Sequence, residues 1–147
     1  MITFTMIKPD AVSSLKSGKI IDMIEQNGFI ISKMKKKTMS VKMAKEFYSD
    51  HKDKSFFNEL INFMTSGPVI AMVLKKDYKD DSDYRFKDFD PTIIIEFRAL
   101  IGDTNPLNAK EGTIRKLFAE SMSKNAIHGS DSIENAIKES SIFFKSI

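Results

Sequence analysis

The chain has 147 residues, 41% hydrophobic and 29% charged, which fits one domain with a real core, leaves too little room for two, and excludes a disordered polymer. Its 23 basic residues against 20 acidic leave a net charge of +3, a mild bias toward anionic ligands that does not demand nucleic acid. Cysteine is absent, which excludes disulfides, thiolate metal sites and a cysteine nucleophile; the composition suits a reducing compartment, and a cytoplasmic address is expected.

The first ten residues lack the basic and long apolar regions of a secretion signal, and runs such as Val69 to Leu74 are too short to span a bilayer. A soluble protein is expected. Ile2, Phe4 and Met6 alternate with Thr3, Thr5 and Ile7, predicting a first strand stopped by Lys8-Pro9-Asp10. Ile20, Ile21 and Ile24 predict a helix from about Ser17 to Asn27, ended by Asn27-Gly28. Phe29 to Ser32 returns to strand character and runs into Lys33, Lys35, Lys36 and Lys37, which read as a solvated sheet edge.

Ser40 to Asp50, with Val41, Ala44 and Phe47, predicts a helix; a second starts at Ser55 and carries Phe56, Phe57, Leu60, Ile61 and Met64. After Ser66-Gly67-Pro68, the run Val69 to Leu74 predicts a central strand buried on both faces. Residues 75–90 are polar, with scattered aspartates and aromatics, and read as a surface insertion; they lack the glycine and final glutamate of a calcium-binding EF-hand loop. Asp90-Pro91 predicts a helix start, with Ile94, Phe97 and Ile101 inward and Arg98 projecting. Gly112-Thr113 opens a short helix through Arg115, Leu117 and Phe118. The last helix is expected near Ser132, with Ile133, Ala136, Ile137 and Phe144 inward. This order predicts an α+β sandwich, helices covering a small antiparallel sheet.

His128, one of only two histidines, follows Asn125-Ala126-Ile127, short enough for a buried strand. Gly129 would permit an unusual turn, and Asp131 with Glu134 has N-cap and N3 spacing, so the imidazole is expected at a strand-to-helix corner. A neutral imidazole there could attack an electrophile such as phosphorus through one nitrogen while the other is held. Lys8, Arg98 and Arg115 each lie beside a break in regular structure and could converge on one anion. No GxGxxG or Walker-type loop is present, so any nucleotide site must rely on side chains.

Thr5 to Val12 (TMIKPDAV), Ser66-Gly67-Pro68-Val69, Gly102 to Pro106 (GDTNP), Glu111 to Arg115 (EGTIR) and Asn125 to Ser132 (NAIHGSDS) together resemble the signatures of nucleoside diphosphate kinases, in the same order and almost end to end. The resemblance implies a ferredoxin-like βαββαβ core with additional helices. It further implies γ-phosphoryl transfer from nucleoside triphosphates to diphosphates by a ping-pong phosphohistidine route, with Mg²⁺ carried by the nucleotide phosphates and no metal held by the protein itself. Assembly into homo-oligomers, hexamers or tetramers, goes with it. By the same resemblance His128 is the nucleophile, and Glu139 and Ser130 orient it. Lys8, Tyr48 and Arg115 lie near the transferred phosphate, Arg98 and Thr104 near the preceding one, and Lys8 and Asn125 reach the ribose. Phe56 stacks on the base, beside Leu60 and Met122. By spacing alone, Phe56, Leu60 and Met122 would be core, Tyr48 a surface aromatic, Thr104 a turn residue and Glu139 an exposed acid; His51 is given no catalytic part.

The chain departs from the family pattern in a longer connection from Leu74 to Arg98 and in Glu111, where many members carry proline. Two other readings compete: an RNA-binding ferredoxin-like module, disfavoured because no RNP1-like pattern is present, and an oligomeric scaffold with a decayed site, disfavoured by the intact residue set. No membrane association is expected. The aromatics of the insertion suit a cover for the nucleotide entrance or an intersubunit surface. Replacing Tyr78 to Asp88 with a short Gly/Ser linker is therefore expected to change the nucleotide KM or the native mass, measured by steady-state kinetics and native mass spectrometry; no change in either would remove both roles.

Overall fold

The first strand takes every residue from Ile2–Ile7 and is buried on both faces, because its alternate side chains feed two different apolar layers (β1). The computed structural model describes residues 1–78 and 92–145. In chain order the elements are β1, α1 (Pro9–Ser13), α2 (Ser17–Gln26), β2 (Ile30–Lys37), α3 (Val41–Phe47), a 3-10 turn (Ser49–His51), α4 (Phe57–Met64), β3 (Val69–Lys75), α5 (Thr92–Ile101), α6 (Ile114–Phe118), β4 (Ile127–Gly129) and α7 (Ile133–Phe143). The strands form one antiparallel sheet in the order β2-β3-β1-β4, the α+β ferredoxin-like arrangement.

Ile7, Ile70, Met72 and Leu74 face a layer made with Ile20 and Ile24 of α2 and Ile93, Ile94, Phe97 and Ile101 of α5. Phe4, Met6, Val69 and Ala71 face the opposite layer, made with Ala44 and Phe47 of α3, Ile61 and Met64 of α4 and Phe143 of α7. The period of two in β1 and β3 therefore serves two cores. The expectation of a doubly buried interior strand at Val69 to Leu74 holds, and β2 is one edge of the sheet. Its lysines lie along that edge; Lys35 Nζ donates to the Phe143 carbonyl at 2.9 Å, closing the C-terminal end of α7.

Four local expectations are corrected. Pro9-Asp10 does not merely stop the first strand but opens the short helix α1 behind it. The last helix is capped by Ser132, whose hydroxyl accepts from the Asn135 N–H at 3.1 Å, while Asp131 accepts from the Asn135 amide at 2.6 Å. Its inward residues are Ala136, Glu139, Ser140 and Phe143, whereas Ile133 and Ile137 are 38% and 50% exposed. The helix is thus rotated so that a carboxylate faces inward at the expense of two isoleucines. Finally, the brief strand expected at Asn125-Ala126-Ile127 starts at Ile127 and includes His128; Ala126 lies before it. Residues 79–91, including most of the surface insertion and the Asp90-Pro91 helix start, lie outside the described residues.

Glycine is required twice near β4, for different reasons. Gly129 has ordinary strand geometry, but a Cβ there would stand 2.5 Å from Ile101 Cδ1, so the close approach of α5 to the sheet is what excludes a side chain. Gly102 has φ +93°, and a Cβ would meet Thr113 Oγ1 at 2.6 Å. Thr113 caps α6 by accepting from the Lys116 N–H at 3.3 Å, so this glycine lets α6 seat against the end of α5. Gly102→Ala is expected to destabilise the fold by about 1–3 kcal/mol, from strain plus overpacking, measured as a lower urea midpoint.

Candidate active site

β4 is an edge strand of three residues, and Met6 of β1 stands opposite His128. The Thr5 hydroxyl donates to the His128 carbonyl at 2.7 Å, fixing the backbone from a strand that begins the chain. The imidazole rests against the edge of the Phe47 ring, centroids 5.2 Å apart and planes at 75°. His128 therefore sits within a strand, not at the expected corner.

His128 Nε2 lies 3.0 Å from Glu139 Oε2, and the Ser130 hydroxyl donates to the same carboxylate oxygen. An ionised carboxylate only accepts, so this network assigns the ring proton to Nε2 and leaves the lone pair on Nδ1. Glu139 is 8% exposed, which corrects the helix-surface reading of its spacing. Tyr48, at the C-terminal end of α3, is likewise buried; burial first and the Glu139 charge second push its hydroxyl up, so it remains a protonated donor.

Three cations surround this histidine. Arg115 Nη2 donates to the Ile127 carbonyl at 2.8 Å and Nη1 to the Gly102 carbonyl at 3.1 Å, while Arg98 Nη1 reaches the Gly129 carbonyl at 3.4 Å. The two arginines thus hold the backbone on either side of His128. Burial, then the charge of Arg98, lowers the Arg115 guanidinium to about 10, with Asp103 opposing. Lys8 follows β1; its Nζ donates to the Ser123 carbonyl and to Asn125 Oδ1, each at 3.0 Å. Burial lowers Lys8 to about 8, Asp10 works against that shift and Arg115 adds to it. The Asn125 amide in turn donates to the Thr104 carbonyl at 3.4 Å, tying the β4 approach to the loop after α5.

A cavity of about 530 Å³ is walled by His128, Glu139, Tyr48, Lys8, Arg98 and Arg115, with Asn125, Thr104, Phe56 and Leu60 at its margins. A groove of about 460 Å³ adjoins it through Lys8, Thr104, Phe56 and Leu60, and is completed by Phe63 and Met122. Phe56 and Met122 are 47% and 60% exposed, so the core positions that helical spacing gives them are not where they lie. Ser130 lies behind His128, against Glu139, rather than on the cavity wall. The structure therefore brings together all the sequence-predicted site residues.

Sequence reasoning missed several residues of this wall. His51 lines the cavity, its ring 6.4 Å from that of Tyr48 and 5.8 Å from that of Phe56. Asp131 and Asn135 line it too, and the Asn135 hydrogen bond, helped by Arg98 and His128, holds the Asp131 carboxyl below the usual range despite partial burial. Asn135 at the third position after the Ser132 cap was the available signal. Among the described residues, no group of three or more His, Asp or Glu stands close enough to hold a metal ion. No helix among them is long and apolar enough to cross a membrane.

Known proteins share this architecture. The family model described as nucleoside diphosphate kinase matches residues 2–147. The chain is 47% identical over 142 residues to a nucleoside diphosphate kinase of Lawsonia intracellularis, covering 97% of this chain and 93% of that one. It is 46% identical over 144 residues to that of Campylobacter concisus, covering 98% and 95%. The solved Aquifex aeolicus nucleoside diphosphate kinase superposes with a TM-score of 0.86 at 36% identity, covering 99% of this chain and 95% of that chain. With its sheet order, its half-buried histidine–carboxylate pair and these relatives in agreement, the chain belongs to the nucleoside diphosphate kinase family of phosphotransferases.

Proposed function

We propose that the protein moves the γ-phosphoryl group of a nucleoside triphosphate to a nucleoside diphosphate through a phosphohistidine on His128. The observation that carries this reading is the Glu139 contact to Nε2 at 3.0 Å, which leaves Nδ1 as the nucleophile in a cavity lined by three cations. In the first step the Nδ1 lone pair attacks the γ-phosphorus. A phosphorus–nitrogen bond forms, the bond to the β–γ bridging oxygen breaks, and the diphosphate leaves with that electron pair. Positive charge gained by the ring is met by Glu139 through the Nε2 proton, and Ser130 fixes the carboxylate. A second diphosphate then attacks phosphorus with a β-phosphate oxygen and returns Nδ1 to its free form.

Lys8, Tyr48 and Arg115 act on the transferred phosphoryl group, and Arg98 and Thr104 on the phosphate before it. Arg115 Nε is buried with no hydrogen-bond partner among the described residues, a donor that a phosphate oxygen would satisfy. Mg²⁺ would enter with the substrate, carried by the nucleotide phosphates and offsetting part of their charge. Lys8 and Asn125 bind the ribose. Phe56 stacks on the base with Leu60 and Met122 beside it, and a π-face with few edge contacts accounts for broad base tolerance. The whole chain acts as one domain, supported by two apolar layers sharing a single sheet. A cytoplasmic homo-oligomer, hexamer or tetramer, completes the reading, with exposed Ile133 and Ile137 supporting an association surface.

Incubation with γ-labelled ATP and Mg²⁺ is expected to leave acid-labile label on the protein, discharged to GTP by unlabelled GDP. His128→Ala should lose the label and at least about 10³-fold of the transfer rate while remaining folded. GTP made by folded protein without a labelled intermediate would overturn the route. A second outcome follows from Lys8. Its charge in the free enzyme is lost as pH rises through about 8, so kcat/KM should fall above that pH with the slope of a single ionisation. Lys8→Arg should abolish that alkaline limb, read from pH–rate profiles.

A further inference from the structure

Two residues before His128 the backbone adopts a conformation that L residues rarely hold. Ala126 has φ +74°, and the Ile127 N–H donates to the Asn125 carbonyl at 2.9 Å. An i to i+2 bond about such a residue is a γ-turn of the rare, strained hand, favoured by glycine and not by alanine. The turn is wholly buried, so nothing from solvent supports it.

What holds it is the segment that follows β1. The Lys8 N–H donates to the Ala126 carbonyl at 2.9 Å, and the Ala126 N–H donates to Asp10 Oδ2 at 3.0 Å. Both backbone polar groups of the strained residue are therefore captured by chain more than a hundred positions earlier. Asp10 is itself anchored, 8% exposed in the first turn of α1, whose Ser14 N–H and hydroxyl donate to its carbonyl at 3.1 and 2.7 Å. It does not line the cavity that holds His128. The residues flanking the turn do: Asn125 accepts from Lys8 Nζ, and the Ile127 carbonyl accepts from Arg115.

We propose that Asp10 is a positioning residue for phosphoryl transfer, its carboxylate holding Ala126 in the left-handed turn that sets Asn125 against Lys8 and fixes where β4 presents His128 to Glu139. The inference rests on the function proposed above and adds a residue outside the cavity. Without an acceptor at Oδ2, the buried Ala126 N–H loses its partner and the turn relaxes toward negative φ, rotating the peptides on both sides of Ala126. Asparagine at position 10 keeps an acceptor in place. Glycine at position 126 removes the Cβ cost and with it the need for the clamp.

The test is a double-mutant cycle on the full chain with Asp10→Ala, Asp10→Asn, Ala126→Gly and the Asp10→Ala/Ala126→Gly pair. Each is read by kcat, KM and hydrogen exchange at residue 126. Asp10→Ala is expected to lower kcat by about tenfold or more, with a smaller change in KM, and to speed exchange at Ala126 by a similar factor. Asp10→Asn should stay within about threefold of the wild type in both, and the pair within about threefold of Ala126→Gly alone. An Asp10→Ala enzyme with unchanged kcat, or a pair no better than Asp10→Ala, would overturn the proposal. If Asp10→Ala does not fold, the pair against Ala126→Gly decides: equality supports the role, and a tenfold loss or an unfolded pair overturns it. Wild-type protein without transfer activity would sink the functional reading and the catalytic part of this one together. The exchange contrast between Asp10→Ala and Asp10→Asn would still report whether Asp10 holds the turn.

Discussion

The pairing of a three-residue strand with the first strand of the sheet is the contact on which the site depends. Met6 opposite His128 joins the two ends of the chain, and no short-range interaction could do it. Closing so long a loop costs conformational entropy, and three residues of ladder offset little of it. The remainder comes from around the strand: Thr5 on the His128 carbonyl, Lys8 and Asp10 on Ala126, and two arginines on the carbonyls of Ile127 and Gly129. The histidine is held because its backbone is held from three directions.

The same groups give the cavity its electrostatic character. Burial first and the nearby charge of Arg98 second lower the proton affinity of Arg115, and burial acts in the same direction on Lys8. A folded chain that gathers cations in this way stores repulsion, which a polyanion such as a nucleotide phosphate relieves on binding. Backbone carbonyls, Asn125 and a few carboxylates such as Asp10 and Asp103 keep the arrangement tolerable without neutralising it. Glu139 meets the far nitrogen of the histidine from a helix packed on the opposite face of the sheet from α5.

Several places where local pattern and structure disagree lie at or beside the cavity. Spacing alone put Ile133 and Ile137 inward on α7, yet Glu139 and Ser140 face in, and there the Glu139 carboxylate meets His128 Nε2 and accepts from the Ser130 hydroxyl. Spacing put Phe56 and Met122 in the core, yet both stand open at the groove. Gly129 looked like a turn glycine, whereas the left-handed residue is Ala126 and Gly129 answers to the closeness of Ile101. In each case a tertiary demand overrides the period or the propensity that a single segment displays.

The sequence by itself determined the element order apart from α1, the doubly buried strand at Val69 to Leu74, the lysine-bearing edge and, through its ordered motifs, the family. All but the family are properties of composition and of periods of two and 3.6 residues, which each segment carries alone; the family rests on the resemblance of the motifs. Tertiary structure alone decided which nitrogen of His128 is free, how Lys8, Arg98 and Arg115 converge, and that Asp10 supports a strained alanine beside the histidine. Those depend on distances between residues far apart in the chain, set by sheet order and by helices packed on its two faces, and no local pattern encodes a distance of that kind.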